Sequence, residues 1–440
     1  MRPFPDEAVS GQPEGLELDA RRPSTLDLLI AMEAGVHRLR SNNVFPGVYP
    51  PVRQDGSGAD LSASPCGDGP GRASARDPAP VRIEAVKSHY YWKQVEAFKD
   101  RLRRAIPHEE LKALHRRSAP RHLLCAARQF GIVAVCSVAL WHLTNPLYWI
   151  PVAILQGFTF FNMTTLLHEV VHQSVFQSRR EGWNRALGLA YAITSGISAS
   201  QFTRWHLDHH DNLGSGEDDP KRHWLSPKRN ARWFKLLYCT PALMPLYFRA
   251  AAQEAKSYPE ALRRTLRRER LATMIVQFSV MGILLKLGGL GPMLRVQVVP
   301  YFLVFPVAFT LNRLGQHYNI DPAHPLKWST VMKPSRLWDF LFVYSNYHAE
   351  HHYFPSVPFY NLRRLHMKLR PLYQELGLKQ HTYREIVWQW FVLNRAPHTD
   401  WDHGVGIPPG PQSPAGPSEE ALAHPAARPG GRVAARIATP

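Results

Sequence analysis

Residues 149–172 read WIPVAILQGFTFFNMTTLLHEVVH, an apolar run that leads directly into a pair of histidines. The run from Trp149 to Leu167 approaches the roughly 20 apolar residues that a helix needs to cross a bilayer. His168 and His172 follow at i and i+4, a spacing that places both side chains on one face of a helix. The stretch therefore predicts a membrane-spanning helix that carries two imidazoles at one end.

Two more clusters show the same kind of spacing, His206-Leu207-Asp208-His209-His210 and His348-Ala349-Glu350-His351-His352. Together the three clusters hold eight of the 22 histidines of the chain. Neutral imidazole is the commonest protein ligand of iron, zinc and copper, and no single cluster saturates such an ion. Eight converging histidines are enough for two ions, so we predict a metal centre built from all three clusters.

Four apolar runs are candidates for membrane helices: Phe130–Leu143, Trp149–Leu167, Leu271–Leu287 and Val298–Leu311. The first and last are short and need flanking residues, tilting or snorkelling to span. The alternative is a set of buried core helices in a soluble protein. Because the runs form two pairs, we predict an all-α membrane protein with four transmembrane helices in two hairpins, under a cytoplasmic helical cap that carries the histidines.

Basic residues are distributed unevenly around these runs. The connection His142–Tyr148 has no Lys or Arg, whereas Lys99–Arg121, Arg179–Arg270 and Arg363–Arg370 are densely basic. Because cytoplasmic loops of membrane proteins are enriched in Lys and Arg, we expect these segments, both termini and the active site on the cytoplasmic side. All three clusters then lie on the same side of the bilayer. This requires that the apolar run Ala186–Phe202 does not cross the membrane.

Composition divides the chain into four parts. Segments rich in Pro, Gly, Ser and Ala predict a disordered N-terminal extension (1–80) and a disordered C-terminal tail (396–440). Between them we expect a basic amphipathic cytoplasmic segment (81–122) and the membrane and cap domain (123–395). The net charge of +18 suits an anionic bilayer surface, and without a nucleic-acid-binding motif we expect no nucleic-acid partner.

Two other interpretations compete for the histidines. His168-Glu-Val-Val-His172 alone fits the zinc metalloprotease pattern, but a protease needs neither of the other two clusters. A histidine-rich transporter or metal-binding scaffold without catalysis is the second alternative. Against a transporter, charged residues do not recur inside the apolar runs to mark an ion path.

The three clusters resemble the histidine boxes of the membrane fatty acid desaturases. The matching residues are His168-Glu-x-x-His172, Trp205-His206-Leu-Asp-His209-His210 and Asn346-Tyr-His348-Ala-Glu-His351-His352-Tyr-Phe-Pro. The acidic stretch Glu217-Asp-Asp-Pro220, which follows the second box, also resembles the family. The resemblance covers about Leu123 to Arg370. It implies a di-iron centre (two Fe ions) and oxygen-dependent introduction of a double bond into the acyl chain of a lipid substrate.

The resemblance also implies roles for individual residues. The eight box histidines (His168, His172, His206, His209, His210, His348, His351 and His352) match the iron ligands of the family. His317 is a ninth candidate ligand, since related proteins carry a histidine at the corresponding place, and His324 is a weaker substitute. Glu169, Asp208 and Glu350 lie inside the boxes and are candidates to accept hydrogen bonds from the second ring nitrogens. We expect no catalytic residue separate from the metal ligands.

The sequence differs from particular subgroups of the family in two ways, and both differences limit the functions that the resemblance implies. The third box begins with His348 where front-end desaturases have glutamine, and the chain has no His-Pro-Gly-Gly haem-binding motif. A separate electron donor of the ferredoxin or cytochrome b5 type is therefore expected. The alternative function is a hydroxylase or ketolase of the same superfamily, acting on a fatty acyl, sphingoid or carotenoid substrate, because both reactions share the first hydrogen abstraction.

Overall fold

The computed structural model of the protein describes residues 98, 101–178, 180–213, 218–318, 320 and 325–398. The predicted disordered segments 1–80 and almost all of 396–440 lie outside the described residues, as do His324 and most of 81–100. Apart from one bridge between Met332 and His381, the described residues form helices, turns and irregular connections.

Nine helices position the site or have the length of membrane spans. In chain order they are α1 (Ala119–His142), α2 (Pro146–Val171), α3 (Glu181–Ser195), α4 (Ala199–Asn212), α5 (Leu243–Glu254), α6 (Glu260–Gly288), α7 (Phe305–His317), α8 (His348–Tyr353) and α9 (Phe359–Glu375). Short helices or helical turns cover His108–Leu114, Lys221–Leu225, Arg232–Leu237, Ala255–Ser257, Leu290–Met293, Pro325–Lys327, Arg336–Leu341, Tyr383–Val387 and Trp388–Val392. A wider π-helical segment, Leu294–Val304, joins Leu290–Met293 to α7.

Four helices among the described residues are long and apolar enough to cross a membrane: α1, α2, α6 and the continuous run Leu290–His317. The prediction of an all-helical protein with four such helices is confirmed. The helices are longer than the apolar runs, because each helix continues into polar flanking residues. For example, α1 begins at Ala119, where Pro120 suits the first turn of a helix, and not at Phe130.

The spans differ in how much of their surface other helices cover. In the most apolar 18 residues, 67% of α2 is buried within the protein, against 6% of α6. α2 is apolar on every side, as is typical of a helix enclosed by others, and it contacts α1, α3 and the π-helical segment. Exposed Leu271, Ile275 and Phe278 on α6 are suited to contact with lipid. α2 is thus the central helix of the bundle.

The apolar run 186–202 is divided between α3 and α4, of 15 and 14 residues, and neither is long enough to span. The break lies at Gly196, whose φ of 78° is in the left-handed region that glycine adopts without strain. The Tyr301 hydroxyl donates to the carbonyl oxygen of Ser195 at 2.9 Å and holds this corner against the π-helical segment.

α2 and the π-helical segment approach each other closely at Gly157. A Cβ at this position would lie 2.4 Å from Val304 Cβ and 2.6 Å from the carbonyl oxygen of Pro300. The carbonyl oxygen belongs to the backbone, so it cannot move aside without shifting the helix. Glycine is therefore required for this contact.

We expect Gly157→Ala to destabilise the protein by about 1–3 kcal/mol, the usual cost of overpacking a close contact. The measurement is the thermal unfolding midpoint of the detergent-solubilised protein. Gly131→Ala on α1 is the matched control, since its Cβ would meet nothing within 4 Å. Equal midpoints for the two variants would contradict the requirement for glycine.

Candidate metal centre

Four structural elements carry the histidines of the predicted site. His168 lies in the last turn of α2 and His172 caps its C-terminus. α4 carries His206, His209 and His210 on successive turns, and α8 carries His348, His351 and His352. His317 is the last residue of α7. The structure brings all nine of these side chains together at the ends of these helices.

The histidines form two groups, in each of which the potential ligand atoms lie within 4.8 Å of one another. The first group consists of His168, His172, His206, His210 and His351. Its Nε2 atoms face each other at short range: His172 to His206 at 2.6 Å, His168 to His351 at 3.0 Å, and His351 to His210 at 3.0 Å.

The second group consists of His209, His317, His348 and His352. Nε2 of His317 lies 3.1 Å from Nε2 of both His209 and His348, and His348 is 3.0 Å from His352. The groups are neighbours, because α4 and α8 contribute to both. The ring centroids of His210 in the first group and His352 in the second are 4.4 Å apart.

The outward-facing ring nitrogens indicate where the hydrogen of each neutral ring sits. Nδ1 of His317 lies 3.1 Å from the carbonyl oxygen of Trp328, which can only accept, so Nδ1 is the donor. Nδ1 of His209 donates in the same way to Asp219 Oδ2 at 2.8 Å. A neutral ring with hydrogen on Nδ1 has a bare lone pair on Nε2. The lone pairs of His209 and His317 therefore point at each other.

This arrangement fits metal ions. Two lone pairs 3.1 Å apart repel unless a cation shares them. Two ligands about 2.1 Å from one ion and at 90° to each other are separated by about 3.0 Å, close to the spacing of His209 and His317. Burial also lowers the pKa of His209 to about 4 and holds the pKa of four other histidines well below the usual range: His206, His210, His348 and His352. These five rings are therefore neutral at pH 7, the form that binds metal.

The three carboxylates suggested as hydrogen-bond acceptors have different surroundings. Glu169 Oε1 lies 3.2 Å from Nδ1 of His168, and Oε2 accepts from the backbone N–H of Phe359 at 3.1 Å. Asp208 and Glu350 form hydrogen bonds with groups outside the nine histidines. Asp208 accepts from Arg204 Nε at 2.5 Å, and Glu350 accepts from His366 Nδ1 and the Tyr373 hydroxyl. Each lies two residues after a box histidine, so the helix turns it to another face.

Two residues to which the sequence analysis assigned no role contact the outer ring nitrogens of the histidines. Asp219 holds His209, and its second oxygen accepts from the backbone N–H of Lys221 at 3.0 Å. Lys221 Nζ lies 3.0 Å from Nδ1 of His206. Burial and the neighbouring Arg313 lower the pKa of Lys221 to about 7, so this side chain exchanges between ammonium and amine near neutral pH. The only sequence signal was the acidic stretch that contains Asp219.

A largely apolar cavity lies beside the two groups. His168, His206, His348 and His351 form part of its wall. The rest of the apolar lining comes from α2, α4, α5, α7 and α9, and includes Phe161, Trp205, Phe248, Phe305, Phe309 and Leu362. Apolar side chains and histidine side chains thus line the same cavity.

The fold and the site define a helical protein with four candidate membrane helices and nine converging histidines. A family model of fatty acid desaturases matches residues 144–384, more than half of the chain. The chain belongs to the fatty acid desaturase family and is an oxidoreductase of lipid metabolism. The family resemblance of the three boxes is thereby confirmed.

Several similar proteins carry names that specify a lipid class. Human sphingolipid delta(4)-desaturase/C4-monooxygenase DES2 is 26% identical over 242 residues, which cover 52% of this chain and 67% of the human protein. Sphingolipid delta(4)-desaturase DES1 of Xenopus tropicalis is 28% identical over 211 residues, which cover 46% of this chain and 59% of the frog protein.

We expect Asp219→Asn to weaken binding of a divalent transition metal about 10- to 100-fold, because the amide no longer orients His209 as a carboxylate does. The measurement is competition with a chelator of known affinity. Asp208→Asn is the control within the same box, and we expect less than a twofold change because Asp208 accepts from Arg204. If Asp208→Asn reduced metal affinity more than Asp219→Asn does, the roles assigned to these two carboxylates would be contradicted.

Proposed function

We propose that the nine histidines bind two iron ions, five in the first group and four in the second. The support is the donor set: neutral imidazoles in two adjoining groups, with lone pairs facing inward. His317 completes the second group together with His209, His348 and His352. Asp219, Lys221, Glu169 and the Trp328 carbonyl would then orient the rings from outside.

We propose that the protein uses O₂ to introduce a double bond into the chain of a membrane lipid. The observation that carries this proposal is that both histidine groups line one apolar cavity. The reaction removes two hydrogens from adjacent methylenes, and with two electrons from the donor and two protons from solvent it reduces O₂ to two waters. Bound iron supplies the redox chemistry with O₂ that an unactivated C–H bond requires.

The residues of the chain have three tasks in this reaction. The histidines hold the ions on the rigid ends of α2, α4, α7 and α8. The aromatic walls of the cavity, among them Phe161 and Phe305, bind the lipid chain and exclude water. The position at which the chain stops relative to the histidines determines which bond reacts.

Sphingolipids are the substrate class suggested by the names of the relatives, which also include a C4-monooxygenase activity. Hydroxylation is therefore the second candidate function, since it begins with the same removal of hydrogen. The products separate the two reactions, because hydroxylation adds an oxygen atom to the lipid and desaturation removes two hydrogens.

The proposed topology follows the charge asymmetry of the sequence. The four spans would form two hairpins within a domain of residues 123–395, with the histidine centre and both termini in the cytoplasm. Residues 81–122 would lie along the cytoplasmic surface, and 1–80 and 396–440 would be extensions. A separate ferredoxin or cytochrome b5 would deliver electrons from the cytoplasmic side.

Expression in a host with few unsaturated lipids tests the reaction. With a compatible electron donor, we expect the wild-type chain to produce a new double bond and His351→Ala to abolish it, because the first group loses a ligand. Mass spectrometry of the total lipids is the measurement, and His142→Ala, exposed at the end of α1, is the control. A hydroxylated product would move the assignment to the second candidate.

Iron analysis tests the two-ion centre. We expect about two irons per wild-type chain, and about one in each of His172→Ala and His352→Ala, which alter the first and second groups respectively. Purified protein is measured by mass spectrometry of the metal, with His142→Ala again as the control. A single iron in the wild type, lost equally from both variants, would contradict two separate ions.

A further inference from the structure

A second groove lies between α3 and α6, on a different part of the protein from the histidine cavity. Two arginines line it, Arg185 on α3 and Arg268 on α6, and neither of them lines the histidine cavity. Small and apolar side chains from both helices complete much of the lining: Leu189, Ala192, Ile193 and Ala272. We call this feature the α3–α6 groove. It combines two positive charges with an apolar surface.

Both arginines of the α3–α6 groove lack an anionic partner. Within the described part of the chain, neither guanidinium has a hydrogen bond or an ion pair. Glu269 also lines the groove, but its carboxylate accepts from the Ser198 hydroxyl at 2.6 Å, the Ser200 hydroxyl at 2.7 Å and the Ser200 backbone N–H at 3.0 Å. Two guanidinium groups in one groove repel each other. A phosphate would neutralise both, since its oxygens accept from two arginines at once.

The positions of the two arginines along their helices match the headgroup level of a bilayer. Arg268 lies three residues, about 4.5 Å along the helix, before Leu271, where the exposed large apolar side chains of α6 begin. Trp183, two residues before Arg185 on α3, is 64% exposed. Tryptophan is enriched at the membrane–water interface, and basic residues just outside a span attract anionic lipid headgroups. The α3–α6 groove therefore lies where a phospholipid carries its charge.

Hydrogen bonds fix the two walls of the α3–α6 groove relative to each other. Gln277 Nε2 on α6 donates to the carbonyl oxygen of Ile193 at 2.8 Å, and the Thr273 hydroxyl donates to that of Ile197 at 3.4 Å. α3 ends at Ser195, so the bond from Gln277 satisfies one of the carbonyl groups that a helix leaves free at its C-terminus. Because the walls are already ordered, a ligand does not have to order them when it binds.

We propose that the α3–α6 groove binds the phosphate group of an anionic glycerophospholipid. Arg185 and Arg268 donate to the phosphate oxygens, and the fatty chains lie along exposed apolar side chains of α6, such as Leu271 and Ile275. This lipid stabilises the protein and is not the substrate, because its site is separate from the histidine cavity. Glu269, the neighbour of Arg268, holds the start of α4. The bound lipid therefore lies beside the contact that anchors a histidine-bearing helix.

The test is native mass spectrometry of the full-length, iron-loaded protein in detergent, titrated with one lipid at a time. The probes are phosphatidylglycerol and phosphatidylcholine with the same fatty chains. We expect one phosphatidylglycerol to bind about tenfold more tightly than phosphatidylcholine, because choline cancels the charge of the phosphate. Arg185→Gln and Arg268→Gln should each weaken binding of phosphatidylglycerol about fivefold and leave the affinity for phosphatidylcholine unchanged.

Arg267→Gln is the matched control on α6. It removes the same charge, but Arg267 donates to Glu260 at 2.6 Å and does not line the α3–α6 groove. A loss of affinity in this variant equal to that in Arg268→Gln would overturn the proposal, because it would show a general attraction to a basic surface. Equal affinity of the wild type for the two lipids would also overturn it. So would displacement of phosphatidylglycerol by inorganic phosphate at the same concentration, which would identify a site for free phosphate.

The thermal unfolding midpoint provides a second measurement. Phosphatidylglycerol should raise the midpoint of the wild type and of Arg267→Gln, since a ligand stabilises a fold that binds it, and should raise that of Arg268→Gln much less. Arg185→Gln, on the other helix, should show the same reduced rise, which separates lipid binding from an effect on α6 alone. A rise as large as that of the wild type in both groove variants would contradict the site. Neither measurement requires turnover, so the result is independent of the test for desaturation.

Discussion

The mutual repulsion of inward-facing imidazole lone pairs is the constraint on which the rest of the structure depends. Nine histidine rings converge in two groups, and hydrogen bonds to Asp219 and the Trp328 carbonyl keep the hydrogens of His209 and His317 on the outer nitrogens. A cation shared between these nitrogens would relieve the repulsion. The helices that carry the rings must therefore meet with little freedom, and α2, α4, α7 and α8 do so at one end of the bundle.

The long helices α2 and α6 differ in burial and have different roles in the structure. α2 is enclosed by neighbouring helices and delivers His168 and His172 from a rigid scaffold, whereas the spanning part of α6 presents most of its surface outward. The cavity between α2, α5 and α7 is lined by aromatic rings and by four of the histidines. Oxidation of a membrane lipid requires a rigid histidine centre and an apolar surface that contacts the lipid.

Local spacing in the sequence was sufficient to predict much of this architecture. The i, i+3 and i+4 patterns bring eight histidines to one place, and the apolar runs coincide with the four long helices. The family resemblance was needed for His317, because a lone histidine has no periodicity. Asp219 and Lys221 were not assigned, since they reach the rings from a segment after α4 whose path depends on tertiary packing. The sequence did not predict the contacts of Asp208 with Arg204 and of Glu350 with His366, because membership of a box does not reveal which helix face a residue occupies.

The distribution of the histidines along the chain has a consequence for biosynthesis. His168, His172, His206 and His210 supply four of the five side chains of the first group within a short span of sequence, whereas the second group has only His209 before residue 317. The ribosome therefore synthesises most of the first histidine group long before the second. Closure of either requires α8, which approaches α2 across 183 residues of sequence. Maturation of the centre is thus a late, long-range event that follows insertion of the helices.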